Sequence, residues 1–243
     1  MKLLAFDTST EVMAIAAAVD ERRFTASAPG GAAASATLLP RIEALLAQAG
    51  LAFADLDAIA FGQGPGAFTG LRASCAVAQG LGFGLGRPLL AVDSLLVAAE
   101  DARSQWTAAE ASLEVGVAMD ARMDEVYTAR YAFDAGRWHR LAVPALMSLA
   151  ALDAAWRDTT PDLLAGSALA AFGARVTWPQ CAVRIEREHD RAAALLRLAT
   201  AAFVRGEALD AAHALPVYLR DKVALTTAER AAARASGAGT PAR

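Results

Sequence analysis

Two stretches of this chain carry residue types that could do chemistry. The first is Asp7-Thr8-Ser9-Thr10, a carboxylate followed by three hydroxyls, placed directly after an apolar run from Lys2 to Phe6. Hydroxyls and turn amides can hold phosphate, and a carboxylate can hold hydrated Mg²⁺. The alternative is an Asx-type turn with no ligand. The second stretch is Gly62-Gln63-Gly64-Pro65-Gly66-Ala67-Phe68-Thr69-Gly70-Leu71-Arg72. An apolar run, Leu56 to Phe61, enters it, and an uncharged run, Ala73 to Gly86, leaves it, so the order is strand, glycine turn, helix. Glycine serves where backbone takes positive φ or approaches another group closely. Pro65 fixes one φ between two such glycines, and Thr69 is the expected N-cap of the helix. A helix N-terminus leaving the carboxyl end of a strand is a ready anion site. The alternative is a tight βα turn without a ligand. No Gly-Lys-Ser/Thr ends the stretch, which excludes a Walker A loop. Gly62, Gly64 and Ala67 fit the G-x-G-x-x-A spacing, but no acidic residue follows at the usual distance of about twenty residues.

The rest of the chain must position these turns. It has 243 residues, 56% of them hydrophobic, enough for one or two domains with a buried core. Much of that content is alanine, which contributes less burial per residue than leucine. A net charge of −3 argues against a strongly basic nucleic-acid face and leaves any RNA contact local or made through a partner. Cys75 and Cys181 form no C-x-x-C, which suits a reducing cytoplasm. Asp7 comes too early for a signal peptide, and the uncharged run Ala73–Gly86 is too short to span a bilayer. A cytoplasmic protein without a membrane segment is therefore expected.

Taken in order, apolar runs at Lys2–Phe6, Val12–Val19 and Arg22–Ala28 read as a β-meander. A helix follows from near Ser35–Thr37 to Ala49, stopped by Gly50. Leu38, Leu39, Ile42, Leu45, Leu46 and Ala49 form its apolar stripe. Pro40 is tolerable in the first turn, which selects Thr37 as the cap. Next come the strand Asp57–Phe61, the glycine turn with its helix, the strand Leu89–Val92, and a helix capped by Ser94 that runs through Trp106. Ala73, Ala76, Val77, Gly80 and Gly84 share one face of the helix after the glycine turn. Gly80, Gly82 and Gly84 cost roughly 1 kcal/mol each against alanine there. Close packing against this chain's own sheet, or against a helix of another subunit, would offset that loss.

The order then restarts. A strand Leu113–Met119 ends in Asp120, a turn leads to Glu125, and the strand Val126–Phe133 follows, as in the first hairpin with its Glu11-Val12. Trp138–Val143 reads as extended, Ser148–Asp158 as helical, Leu163–Ala165 and Cys181–Ile185 as strands. Arg191–Arg205 reads as an amphipathic helix closed by Gly206, and Pro216–Arg220 as an extended segment. From Thr226 the polar, Ala/Arg-rich chain reads as a frayed tail. His139, His189 and His213 have no metal-ligand spacing, and no G-x-S-x-G elbow is present.

Two β-β-β-α-β-α-β-α halves, each opening on an Asp turn, resemble the α/β actin/Hsp70/sugar-kinase-like fold of two similar ribonuclease-H-like lobes with mixed sheets. The lobes are expected at residues 1–107 and 108–225. Four stretches are similar to those of the TsaB (YeaZ) family of threonylcarbamoyladenosine biosynthesis subunits. They are Phe6–Thr10, Gly62–Arg72, Asp120–Tyr127 and Pro216–Arg220, and the likeness extends to about Val223. In the glycine stretch it rests on Gly62, Gly64, Pro65, Gly66, Phe68, Thr69, Gly70 and Arg72.

The resemblance implies a non-catalytic scaffold. A same-fold paralogue, TsaD, transfers threonylcarbamoyl to N6 of the adenosine beside the tRNA anticodon, and an ATPase, TsaE, joins the complex. First-half helices make the homodimer or TsaD contacts, which assigns Ala73, Ala76, Val77, Gly80 and Gly84 to a partner interface, with tRNA reached only through the complex. TsaD-like chains carry an H-x-x-x-H metal pair where this one has Ser94 and Ala98. Many relatives place a His before the first helix, where Ala34 stands here. Asp7, Thr8, Ser9, Thr10 and Asp120 remain as a degenerate nucleotide site for weakly held ATP or ADP with magnesium. The competing readings are an autonomous ATPase or kinase of the same fold and, behind it, a metallopeptidase.

Overall fold

A computed structural model describes residues 1–31, 34–106, 112–181 and 183–220. The expected tail from Thr226 lies outside the described residues. Two five-stranded mixed sheets organise the chain. The first contains β1 (Lys2–Asp7), β2 (Val12–Val19), β3 (Arg22–Pro29), β4 (Ala58–Gly64) and β5 (Leu89–Asp93), in the order β3-β2-β1-β4-β5. The second contains β6 (Ser112–Asp120), β7 (Glu125–Asp134), β8 (Arg137–Ser148), β9 (Leu163–Ala165) and β10 (Val183–Ile185), in the order β10-β9-β6-β7-β8. In each sheet the first three strands form an antiparallel meander and the last two add in parallel. Helices follow in matching places: α1 (Ala34–Ala49), α2 (Phe68–Leu85) and α3 (Ser94–Gln105), then α4 (Leu149–Trp156), α5 (Ala168–Phe172) and α6 (Arg191–Val204). The duplication read from the two Asp turns is thus a repeat of the whole topology.

Alternation along the strands decides the layers. Leu4, Phe6, Met13, Ile15, Ile59 and Phe61 face α1 and α2 in one core. Leu3, Ala5, Ala14, Ala16, Ala18, Ala58 and Ala60 face the other way and pack against Ala192, Leu195, Leu196 and Ala199 of α6. The alanines of β2 and β4 are therefore positional. Small residues on both surfaces bring this helix close to the sheet. α6 lies in the second half of the chain but closes the first sheet. Reciprocally, Leu95, Ala98, Ala99 and Ala102 of α3 pack on Leu113, Val115, Val117 and Tyr131 of the second sheet. This exchange makes the two halves share their cores.

Three cap assignments change. α1 begins at Ala34, not near Thr37, and Pro40 sits past its first turn. Pro40 and Ala36, the residue whose carbonyl would have accepted from position 40, both lie on the solvent side. Leu39, expected on the buried stripe, is 40% exposed. α2 is capped at Ala67, not Thr69, and no side chain bonds its first amides. α3 is capped by Asp93, whose carboxylate accepts from the amides of Leu95 and Leu96 at 3.0 and 3.3 Å, while Ser94 faces elsewhere. β8 runs on to Ser148 rather than ending at Val143, and α5 was not anticipated. No helix among the described residues is long and apolar enough to cross a membrane.

Candidate functional site at the interlobe cleft

The four singled-out stretches converge. A cleft of about 820 Å³ between the sheets is lined by Ser9 and Thr10, by Pro65, Gly66 and Phe68, by Asp120, Arg122 and Tyr127, and by Val217, Tyr218 and Arg220. The segment after residue 214 straps across both lobes. The Val217 amide donates to the Gln63 carbonyl at 2.7 Å. The Arg72 guanidinium lies 3.8 Å from the centre of the Phe68 ring and donates through Nε to the Tyr218 hydroxyl at 3.0 Å. On the other lobe, Arg220 Nη2 donates to the Glu125 carboxylate at 2.6 Å and to the Ala121 carbonyl at 2.9 Å.

The glycine stretch earns its composition by pressing on the Asp7 turn. A Cβ on Gly62 would lie 2.2 Å from Asp7 Cγ, and one on Gly70 would lie 1.8 Å from the Thr8 carbonyl oxygen. The Asp7 turn is accordingly sealed. Asp7 is 0% exposed. Its Oδ1 accepts from the Ser9 amide at 2.7 Å, and its Oδ2 accepts from Ser94 Oγ at 3.0 Å and Arg191 Nη2 at 2.7 Å. The Thr8 hydroxyl donates to the Gly70 carbonyl at 2.6 Å and meets Ser74 Oγ at 2.8 Å. Of the five residues proposed for a nucleotide, Ser9, Thr10 and Asp120 line the cleft, and Asp7 and Thr8 lie behind it. Asp120 accepts from the Arg122 amide at 2.8 Å and pairs with its guanidinium at 3.3 Å.

Electrostatics divide the buried carboxylates into two kinds. Although burial raises it, the Asp7 carboxyl is held below its ordinary range by Arg191 and the Ser9 bonds. Glu100 is likewise held low against burial by Arg103, Arg197 and the Trp138 indole. Burial wins at Asp93, which is pushed up despite the Tyr131 hydroxyl at 2.8 Å and Arg140 at 3.2 Å. A group with a raised folded pKa gives its stability below the unfolded pKa and loses it as pH rises through the folded value. Asn caps helices as well as Asp, so Asp93→Asn should gain stability relative to the parent as pH rises from about 4 to about 7. Urea midpoints of both proteins across that range check this, and a pH-independent difference would contradict it.

Sequence reasoning missed Arg191 and Glu188, which also line the cleft. They sit in the charged run Glu186–Arg191, whose spacing matches no binding motif. One local signal was available. An arginine in the first turn of a helix opposes the helix dipole, and here it opens α6, directly after its cap Asp190.

The interface residues assigned to α2 separate into two groups. Ala73 is 9% exposed and Val77 packs on the chain's own core. Ala76, Gly80 and Gly84 are exposed, and no atom lies within 4 Å of a Cβ built on either glycine. Of Gly80, Gly82 and Gly84, Gly82 packs internally, against Leu89 and Ala211. Phe83, 63% exposed, stands beside the open glycines.

Two lobes of repeated topology with exchanged helices and Asp turns facing one cleft define an actin/Hsp70/sugar-kinase-like protein. The profile of the family described as "TsaD: tRNA N6-adenosine threonylcarbamoyltransferase" matches residues 29–186. The "tRNA threonylcarbamoyladenosine biosynthesis protein TsaB" of Escherichia coli (strain K12) is 32% identical over 238 residues, 92% of this chain and 96% of that protein. The solved structure "YeaZ from Pseudomonas aeruginosa" superposes with a TM-score of 0.77 at 38% identity, over 90% of this chain and 99% of that one. The chain belongs to the TsaB (YeaZ) family.

Proposed function

We propose that this chain is a non-catalytic scaffold subunit in tRNA threonylcarbamoyladenosine biosynthesis. It docks a TsaD-like catalytic paralogue through α2, works alongside a TsaE-like ATPase, and forms a homodimer when isolated. It meets tRNA only through the assembled complex. The observation that carries this reading is the outward face of α2. Gly80 inside α2 and Gly84 in its last turn meet nothing within the chain and leave the helix backbone open to close approach. Phe83 beside them offers an apolar anchor of the kind that dominates binding energy at interfaces. The kinship with TsaB supports the pathway.

Sedimentation of the chain with a TsaD-like partner at tens of micromolar tests the reading, an affinity of about −6 to −8 kcal/mol being sufficient for a complex there. A shared boundary is expected. Folded chain that sediments alone at that concentration would overturn it. The autonomous ATPase reading has one observation in its favour, the volume of the cleft. Sustained ATP turnover by the purified chain without any partner would favour it instead.

A further inference from the structure

We infer that the Arg191 guanidinium is a built-in cation that takes the place of a divalent metal at Asp7 and latches the start of α6 to the β1–β2 turn and the start of α3. This holds whichever partner the chain docks. A carboxylate at the end of the first strand suits hydrated Mg²⁺ only if an oxygen faces open space with room for the ion's waters. Both Asp7 oxygens are instead committed, to the Ser9 amide, the Ser94 hydroxyl and Arg191, and the Gly62 backbone closes the remaining side. The residues present therefore do not fit a metal.

The guanidinium fits the same place well. Arg191 is 3% exposed, and its Nη2 also donates to Ser9 Oγ at 3.2 Å and to the Ser94 carbonyl at 3.0 Å. Its Nη1 donates to the Glu188 carboxylate. The backbone delivers it there. Asp101 accepts from the His189 and Asp190 amides at 2.9 and 2.8 Å, and α6 then packs on the first sheet. One guanidinium thus joins the β1–β2 turn, the start of α3 and the start of α6. Two carboxylates share a single buried cation, and burial with the nearby charge of Asp101 and Asp7 pushes the Glu188 carboxyl up, which eases the imbalance. Removing Arg191 leaves two carboxylates without their cation, and removing Asp7 as well relieves one of them.

Two measurements on the full chain test this. Mn²⁺, a paramagnetic stand-in for magnesium, is titrated into the parent and Asp7→Asn while free Mn²⁺ is followed by its resonance signal. Absent binding, or binding that Asp7→Asn leaves unchanged, is expected. Binding lost in Asp7→Asn would overturn the inference. Thermal midpoints of Asp7→Asn, Arg191→Met and the double variant form the second arm. The double variant should lose clearly less than the two single losses added together, and strict additivity would overturn the latch. If Arg191→Met does not fold, the manganese titration of the parent and Asp7→Asn still decides.

Discussion

Gly70→Ala will cost this protein more than about 3 kcal/mol, and Gly70→Val will yield little folded chain. Ordinary overpacking of a core costs about 1–3 kcal/mol because flexible side chains give way. Here the clash is with backbone. The added Cβ would sit 1.8 Å from the Thr8 carbonyl oxygen and 2.8 Å from its carbon. Neither side can retreat cheaply. The Thr8 amide accepts its place by donating to Ser74 Oγ at 3.0 Å, and the Thr8 hydroxyl holds the Gly70 carbonyl itself. Shifting α2 would also disturb its packing on the core of the first sheet. Against a total stability of about 5–15 kcal/mol, the loss is a large fraction. Denaturant midpoints measure it, and a change within about 1 kcal/mol for Gly70→Ala would contradict the account of the glycine stretch.

Gly80→Leu is expected to do the opposite to stability while removing association. Nothing lies within 4 Å of a Cβ at Gly80, so the side chain enters open space, and α2 gains roughly 0.5–1 kcal/mol of helix propensity. The same leucine would hold a partner helix away from the backbone it approaches. An affinity loss of at least about 100-fold, roughly 2.7 kcal/mol, should follow. Thermal unfolding and sedimentation with the TsaD-like partner read the two effects separately. Unchanged association would remove this face of α2 from the interface.

What the sequence made legible follows from the range of its signals. The Asp7 turn, the glycine stretch and the Pro216–Arg220 segment announced themselves through local composition, and all three lie at the cleft. The restart at Asp120 carried the duplicated topology. Periodicity in α3 and α6 marks an apolar face but not the sheet it meets, so the exchange of helices between halves was invisible. Arg191 was hidden for the same reason, because its partner Asp7 is 184 residues away. The cap of α3 went to Ser94 because serine and aspartate stand side by side there, and only the carboxylate of Asp93 reaches the first amides. On α2 the small-residue spacing marked one face of the helix, two of whose members, Ala73 and Val77, turn to the chain's own core. Which members of that face turn outward depended on the packing of Gly82 against Leu89 and Ala211.

The scaffold reading meets its most direct test in a transfer assay with tRNA, in which the purified chain is supplied with ATP, threonine and bicarbonate plus whatever enzyme activates them. Modified adenosine should appear only when a TsaD-like partner is present, and should vanish again with Gly80→Leu. Modification by the chain alone, at the rate of the full set, would contradict it.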